Sequence, residues 1–305
     1  MNPSAEALRE REKRWAATSS VVAAVGLSAF KIVVGIATGS LGILAEAAHS
    51  GLDLVAALMT LFAVRISGRP ADTEHLYGHG KVENLSALFE TLLLLVTCVW
   101  IIWSAIHRLA AHRLEIEVTW WSFTVMATSI VVDVSRSRML YRVARKHNSD
   151  ALEADALHFR TDIWSSSVVI LGLACVKIGE WAPAVGFLRY SDAIAAIGVA
   201  LIVVQVSVKL GLRTVQALVD AAPAGAVRKI TAAVETLPGV TNCHHVRVRC
   251  SGSRPFVDVH VLVDGSQTLR EAHDLTERIE RAIEQILPDA DVTVHPEPRA
   301  AGNTA

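Results

Sequence analysis

A series of six long apolar windows between residues 15 and 220 constrains the fold more than any other feature. Each window is long enough for a helix that crosses a bilayer, which needs about 20 residues. The fifth window begins with several charged residues, so it qualifies as a span only if that end lines a cavity. The windows cover residues 15–37, 41–66, 83–106, 118–142, 151–178 and 192–217.

The placement of Lys and Arg predicts the orientation of these spans. Basic residues precede the first window, lie between the second and third and between the fourth and fifth, and are sparse in the other loops. Because basic residues accumulate on the cytosolic side of a membrane, we expect both termini in the cytosol. Residues 1–14 are then a cytosolic N-terminal segment and residues 15–220 a six-span membrane domain. No cleavable signal is expected, since the first apolar run leads directly into further spans.

After Pro223 the sequence has the composition of an ordinary polar domain. Periodicity and turn residues predict helices over 225–236 and 268–286 and strands over 243–250, 256–263 and 291–295. This α-β-β-α-β order predicts a small two-layer domain, residues 221–298, with its helices on one face of a sheet. The tail 299–305 is expected to be disordered.

Composition narrows the class of protein. Hydrophobic residues make up 52% of the chain, which is too apolar for an ordinary soluble protein and makes membrane lipid a partner. A net charge of −1 argues against a nucleic-acid partner. The four cysteines form no C-x-x-C pair and are interpreted as free thiols.

Two stretches inside the apolar windows carry the clearest chemical signal. His49 and Asp53 lie four residues apart in the second window, and His158 and Asp162 repeat that spacing in the fifth. On a helix this spacing stacks both side chains on one face. If the two helices meet, two imidazoles and two carboxylates can hold a tetrahedral divalent cation, zinc before others. The alternative is that each polar pair only joins neighbouring helices.

Two further groups of metal-ligating residues lie outside the predicted spans. Asp72, His75 and His79 fall within eight residues in the loop after the second window, although a solvated His-rich loop is a fair alternative. The C-terminal domain has histidines on strands of one predicted sheet and on the helix that covers it, which suggests a metal cluster. Its candidate ligands are His244, His245, His260, His273, His295 and Glu297.

With these motifs the chain resembles the cation diffusion facilitators, membrane exporters of zinc and related divalent ions. The two H-x-x-x-D pairs and the Gly-His-Gly-Lys loop carry the resemblance, which extends from the first span to His295. It implies six transmembrane helices, a ferredoxin-like, metallochaperone-like cytosolic domain through which the protein forms a homodimer, and a bacterial inner-membrane location. It also implies three kinds of metal site and a salt bridge. The implied residues are His49, Asp53, His158 and Asp162 for transport, Asp72, His75 and His79 in the loop, His244, His260, His273 and His295 in a binuclear cytosolic site, and the Lys81–Asp220 bridge.

This chain departs from the family pattern at several positions. His49 stands where the zinc and iron efflux branch often has Asp. His at this position resembles the zinc-selective transporters, so the resemblance points to zinc. Glu46 lies where Asp is frequent. His245 and Glu297 differ from the usual residue types, and the motif gives no role to Glu90 or Asp133, for which pairing with basic groups and proton relay both stay open.

The motifs predict a secondary-active exporter rather than an enzyme. No G-x-x-x-x-G-K-[ST] phosphate loop occurs, so another ion must supply the driving force. Zinc and protons compete for imidazole and carboxylate, which predicts Zn²⁺ export in exchange for protons, without an organic cofactor. Export of Fe²⁺, Cd²⁺, Co²⁺ or Mn²⁺ is the alternative. A membrane-anchored metal sensor and an intramembrane zinc hydrolase are less favoured, because an anchor has no use for charged pairs and four protein ligands close a catalytic site.

Overall fold

The computed structural model describes residues 3–111, 120–181 and 191–299. The chain divides into two compact units. One contains residues 2–69 and 82–214, and the other contains residues 70–81 together with 215–305. Part of the predicted tail, residues 300–305, lies outside the described residues.

The first unit is built from six long helices at the positions of the apolar windows. Helix α1 begins at Pro3, so most of the predicted N-terminal segment is helical and leads into the first span without a break. Gly39, with φ +66°, ends the first helix, and the Ser40 side chain caps the next by accepting from the Ile43 N–H. The helices are α1 (Pro3–Thr38), α2 (Leu41–Ser67), α3 (Lys81–Ala111), α4 (Trp120–His147), α5 (Asp150–Trp181) and α6 (Ser191–Leu218).

Exposed apolar side chains mark the outer surface of these helices as lipid-facing. Val22, Ile36, Phe62, Val96 and Val131 are each more than half exposed, which water would not favour over so wide an area. Among the described residues, four helices are long and apolar enough to span a membrane, and they belong to α1, α2, α3 and α6. Buried ionisable groups, which membrane proteins keep for function because they are costly there, occur in α4 and α5 and also in α1, α2 and α3.

Small residues allow the first unit to pack closely. Helix α1 packs on α2 and α4, α4 on α5, and α2 on α5. Alanines surround the larger Leu140 and Phe159 in one buried cluster, as expected where transmembrane helices approach each other closely. The contact between α2 and α5 brings the two H-x-x-x-D helices together.

The C-terminal part of the second unit has the predicted α-β-β-α-β order. Strands β1 and β2 form an antiparallel hairpin, and β3 pairs in parallel with β2 after the crossover through α8, giving the order β1-β2-β3. The elements are α7 (Ala226–Glu235), β1 (Asn242–Ser251), β2 (Arg254–Val263), α8 (Leu269–Ile286) and β3 (Asp291–Pro298).

Sequence periodicity explains which face of this sheet is buried. Leu275, Ile279 and Ile283 recur every four residues along α8 and pack against alternate residues of β2 such as Val259 and Val261, as the two periods require. A capping box between Thr268 and Glu271 fixes the start of α8. The opposite face of β2 is therefore left for His260.

Candidate metal centres

The two H-x-x-x-D pairs face each other in the first unit. Asp53 Oδ1 lies 3.1 Å from His158 Nε2 and 3.9 Å from His49 Nε2. Asp162 completes the group, 3.8 Å from His49 and 3.7 Å from His158. A tetrahedron with metal–ligand bonds of about 2.1 Å has edges of about 3.4 Å, and each of these four contacts is within about 0.5 Å of that length. Ligand atoms of His49, Asp53 and Asp162 lie within 4.8 Å of one another, and His158 adjoins this group through Asp53 and the second oxygen of Asp162.

The four side chains differ in their access to solvent. His158 and Asp53 are buried, whereas the His49 side chain is 42% exposed. The buried Asp162 Oδ2 has no hydrogen-bond partner. An unsatisfied acceptor in a membrane interior is costly unless it serves a ligand, which fits a cation site entered past His49.

A buried lysine fixes the helix turn that carries His49. Lys31 of α1 donates to Ser50 Oγ at 2.7 Å and to Glu46 Oε2 at 3.1 Å. Ser28 of the same helix donates to the Ser50 carbonyl. Glu46 is thus held by a basic partner, and Asp133 also has one, with Arg136 at 3.5 Å. The sequence offered no signal for the role of Lys31, because a lysine in a span is equally able to extend toward an interface.

Asp72, His75 and His79 also converge in the structure. The Asp72 carboxylate accepts hydrogen bonds from the backbone N–H groups of His75 and Glu74, which hold its pKa below the usual range. His75 Nδ1 and His79 Nε2 lie 3.2 and 3.3 Å from the two Asp72 oxygens. An ionised carboxylate between two imidazoles can hold a divalent cation at the protein surface.

The loop that carries these residues packs on the β1–β2 hairpin of the same unit. The Arg249 guanidinium lies 3.7 Å from the centre of the Tyr77 ring, and Tyr77 contacts Phe256 edge to face. A side chain at Gly80 would come within 2.2 Å of the Ser251 carbonyl oxygen. Only glycine permits this close approach, so the packing of the loop on the hairpin requires glycine at position 80.

A third cluster lies on the three-stranded sheet of the C-terminal domain. His244 pairs with His260, and His260 with His295, across the three strands. Glu297 joins them, with His260 Nδ1 at 2.7 Å and His244 Nε2 at 3.4 Å. The hydrogen bond from His260 lowers the pKa of Glu297. His295 Nε2 lies 3.9 Å from the same carboxylate.

A β-bulge brings the neighbouring His245 to the same place. Strict alternation would send consecutive residues of β1 to opposite faces. The register shifts between His244 and Arg247, and His245 takes a positive φ of 53°. Its ring centre consequently lies 4.9 Å from that of His260, and its Nε2 accepts from Arg247.

His273 does not join this cluster within one chain. It lies on α8, is 70% exposed, and faces Glu277 at 3.8 Å. The reason is topological: α8 covers the apolar face of the sheet, whereas His260 projects from the other face. Its assignment as a ligand stays a prediction that the described part of a single chain does not satisfy.

The predicted salt bridge is present in the second unit. Lys81 Nζ lies 2.9 Å from Asp220 Oδ1 and also donates to the Leu218 carbonyl. Asp220 takes a positive φ of 62° just after α6. Both side chains are partly exposed, so the ion pair adds little to the free energy of unfolding and mainly fixes the start of α3 beside the end of α6.

Comparison with known proteins agrees with this architecture. Residues 17–219 match the family model for the cation efflux transmembrane domain, and residues 222–299 match the model for the cytoplasmic domain of cation efflux proteins. The cation-efflux pump FieF of Yersinia enterocolitica is 34% identical over 292 residues, covering 93% of this chain and 92% of the relative. FieF of Yersinia pestis is 34% identical over 295 residues, with 93% of each chain covered.

Solved structures of isolated C-terminal domains were also found. A MamM CTD in a copper form is 28% identical, with a TM-score of 0.25, covering 27% of this chain and 90% of that one. A nickel form of a MamM CTD variant is 26% identical, with a TM-score of 0.24, covering 25% and 96%.

The family models together cover nearly the whole chain, so the protein belongs to the cation diffusion facilitator family. It is a membrane protein that exports divalent metal cations, and the prediction of a transporter rather than an enzyme is confirmed.

Proposed function

We propose that the protein exports Zn²⁺ from the cytosol in exchange for protons, through a site formed by His49, Asp53, His158 and Asp162. The observation that carries this proposal is the convergence of two separate helix turns, which brings ligand atoms of His49, Asp53 and Asp162 within 4.8 Å of one another and His158 Nε2 within 3.1 Å of Asp53. A ligand set of two imidazoles and two carboxylates favours zinc over Mg²⁺ or Ca²⁺, which prefer all-oxygen sites.

Proton exchange follows from the chemistry of this ligand set. Zinc binds neutral imidazole and ionised carboxylate, so protons entering from outside compete for the same atoms and displace the metal. Histidine suits this competition because its ordinary pKa lies near neutral pH. A rocking motion of the helices would then expose the site alternately to the two sides.

The remaining metal clusters are proposed as regulatory sites. Zinc at Asp72, His75 and His79, and at the cytosolic His244, His260, His295 and Glu297, would stabilise one arrangement of the cytosolic domain and favour transport. We propose a homodimer in the bacterial inner membrane with both termini in the cytosol. In each chain, residues 1–14 form a cytosolic N-terminal segment, residues 15–220 the membrane domain and residues 221–298 the cytosolic domain. The match to the cytoplasmic-domain model supports the dimer, and the Lys81–Asp220 bridge would brace it near the membrane surface.

Metal uptake into proteoliposomes with a fixed pH gradient tests the proposal. Zn²⁺, Cd²⁺, Fe²⁺ and Mn²⁺ are compared for the native protein, for Asp162→Ala, and for Asp264→Ala as a control that removes an exposed cytosolic carboxylate. We expect zinc to move fastest and its flux to collapse only in Asp162→Ala. Unchanged flux in Asp162→Ala would make the four-residue cluster structural, and native flux indifferent to the pH gradient would exclude proton exchange.

A further inference from the structure

Glu90 is a completely buried carboxyl group in the membrane unit. It lies in the middle of α3 with no exposed surface. Thr60 of α2 donates a hydrogen bond to its Oε1. The second oxygen, Oε2, is buried and has no hydrogen-bond partner.

Two other buried carboxylates of this unit have cationic partners, and a third is linked to an arginine through a serine hydroxyl. Glu83 faces Lys13 at 2.9 Å, and Asp133 faces Arg136. Asp155 accepts from Ser20 Oγ at 3.3 Å, and that hydroxyl accepts in turn from Arg136 at 3.0 Å. No Lys or Arg within the described residues forms an ion pair with Glu90.

The charged groups that Glu90 does sense belong to α5. Asp155 and His158 both act electrostatically on its carboxyl group. On α2, Thr60 follows Asp53 by about two helix turns and lies on the same face, so the hydrogen bond from Thr60 places Glu90 beside the face that carries a ligand of the proposed transport site. Asp155 also keeps a buried oxygen, Oδ1, without a partner. His158 is a ligand of the proposed transport site, so a change of charge at that site changes the electrostatic potential at Glu90.

The physical chemistry of this position favours a neutral acid while the transport site holds no metal. A bare carboxylate away from water, without a cation beside it, is strongly disfavoured, and the group binds a proton instead. Thr60 satisfies one oxygen, and the neighbouring Asp155 adds repulsion against a second negative charge.

We propose that Glu90 is a proton-binding site coupled to the metal site. It holds a proton when the transport site is empty, and loses that proton when a divalent cation arrives beside His158. On release the carboxylic acid becomes a carboxylate and the proton passes to cytosolic water. A proton from outside then restores the acid and weakens metal binding. The inference rests on the proposed proton exchange and assigns one of the exchanged protons to this residue.

Coulomb attraction supplies the coupling. A divalent ion that displaces fewer than two protons from the four-residue site increases the positive charge near Glu90, and in a low-dielectric interior such a change acts over several ångströms. The coupling is reciprocal: if metal binding favours the ionised form of Glu90, protonation of Glu90 must disfavour metal binding by the same factor.

Infrared difference spectroscopy on the reconstituted protein tests the proton directly. We expect the carbonyl band of a protonated carboxylic acid near neutral pH, its loss when zinc is added, and its absence in Glu90→Gln. Glu46→Gln is the matched control, since it also removes one carboxyl from the membrane unit but from a group paired with Lys31. A band that is equal in native protein and Glu90→Gln would overturn the proposal.

Proton release on zinc binding, measured with a pH dye in lightly buffered vesicles, gives a second test. Glu90→Gln should still bind zinc but release one proton fewer per ion, and a pH gradient should accelerate its zinc flux less than it accelerates the native flux. Native release and native acceleration in this variant would place the proton elsewhere. Native protein that ignores the gradient would instead contradict the proton exchange itself.

Thr60→Val keeps the carboxyl and serves if Glu90→Gln does not fold. Valine has nearly the size of threonine but donates no hydrogen bond, so the ionised form of Glu90 loses its one donor. The infrared band should then persist to higher pH and require more zinc for its removal. A band with unchanged pH and zinc dependence would contradict the proposal.

Discussion

The membrane cluster and the cytosolic cluster use similar ligands but reach them by different routes. His49, Asp53, His158 and Asp162 come from two helices, and each pair is preset by the helical repeat. The cytosolic ligands come from three strands, and their neighbours are set by strand register and a bulge. A helix fixes spacing within one segment, whereas a sheet fixes it only after separate segments have paired.

The two clusters also differ in their surroundings. In the membrane cluster the side chains of His158, Asp53 and Asp162 are 5%, 12% and 15% exposed, and only His49 reaches 42%. The cytosolic His244, His260 and Glu297 side chains are each about one-third exposed. Loss of a ligand leaves an unpaired charge in the membrane interior but only a hydrated one in the cytosol. We therefore expect ligand substitutions to have larger effects in the membrane.

The largest effect is expected from His158→Ala. It removes a buried ligand and leaves Asp53 without its nearest partner, so zinc affinity at the transport site should fall by more than about 100-fold, since loss of an outer-shell partner alone costs 10- to 100-fold. Transport should be abolished while cytosolic zinc binding persists. Equilibrium dialysis on purified protein would show one site fewer per chain. Retention of the full stoichiometry would contradict the assignment.

A smaller effect is expected from His260→Ala, which removes the central imidazole of the cytosolic cluster. The zinc concentration for half-maximal transport should rise by about 5-fold or more, the usual range for coupling between sites, with the maximal rate unchanged. His273→Ala is the comparison. An unchanged zinc dependence in His273→Ala would leave this residue outside the site, whereas an equal rise in both variants would make it a ligand. No rise in either would reduce the domain to a dimerisation platform.

The smallest effect is expected at the bulge. His245→Val places a β-branched residue at positive φ, which costs about 1–2 kcal/mol, and should weaken cytosolic zinc binding by moving its neighbour His244. His245→Asn removes the imidazole but tolerates this backbone conformation, so it should bind zinc more tightly than His245→Val. Calorimetric zinc titration of the two variants checks this order. Equal losses in both would show that the imidazole matters and the bulge does not.

Local pattern predicted much of what the structure contains. Apolar windows located the helices, and alternation located all three strands, because both depend on residues close in sequence. Pattern did not predict the bulge at His245 or the separation of His273 from the cluster, since these follow from pairing between strands and from the face that α8 covers. Sequence pattern also gave no role to Glu90. The lack of an ion pair between Glu90 and any described Lys or Arg depends on how the helices pack.

The sequence by itself determined the transmembrane helices, the order of the cytosolic elements and the His–Asp pairs, since each is a matter of composition or of spacing within one segment. The tertiary structure decided which pairs meet, which oxygens remain without partners and which histidines share a centre. These depend on contacts between separate elements, such as Asp53 with His158, 105 positions apart, or His260 with Glu297, 37 positions apart, and a helical or strand period carries no information about them.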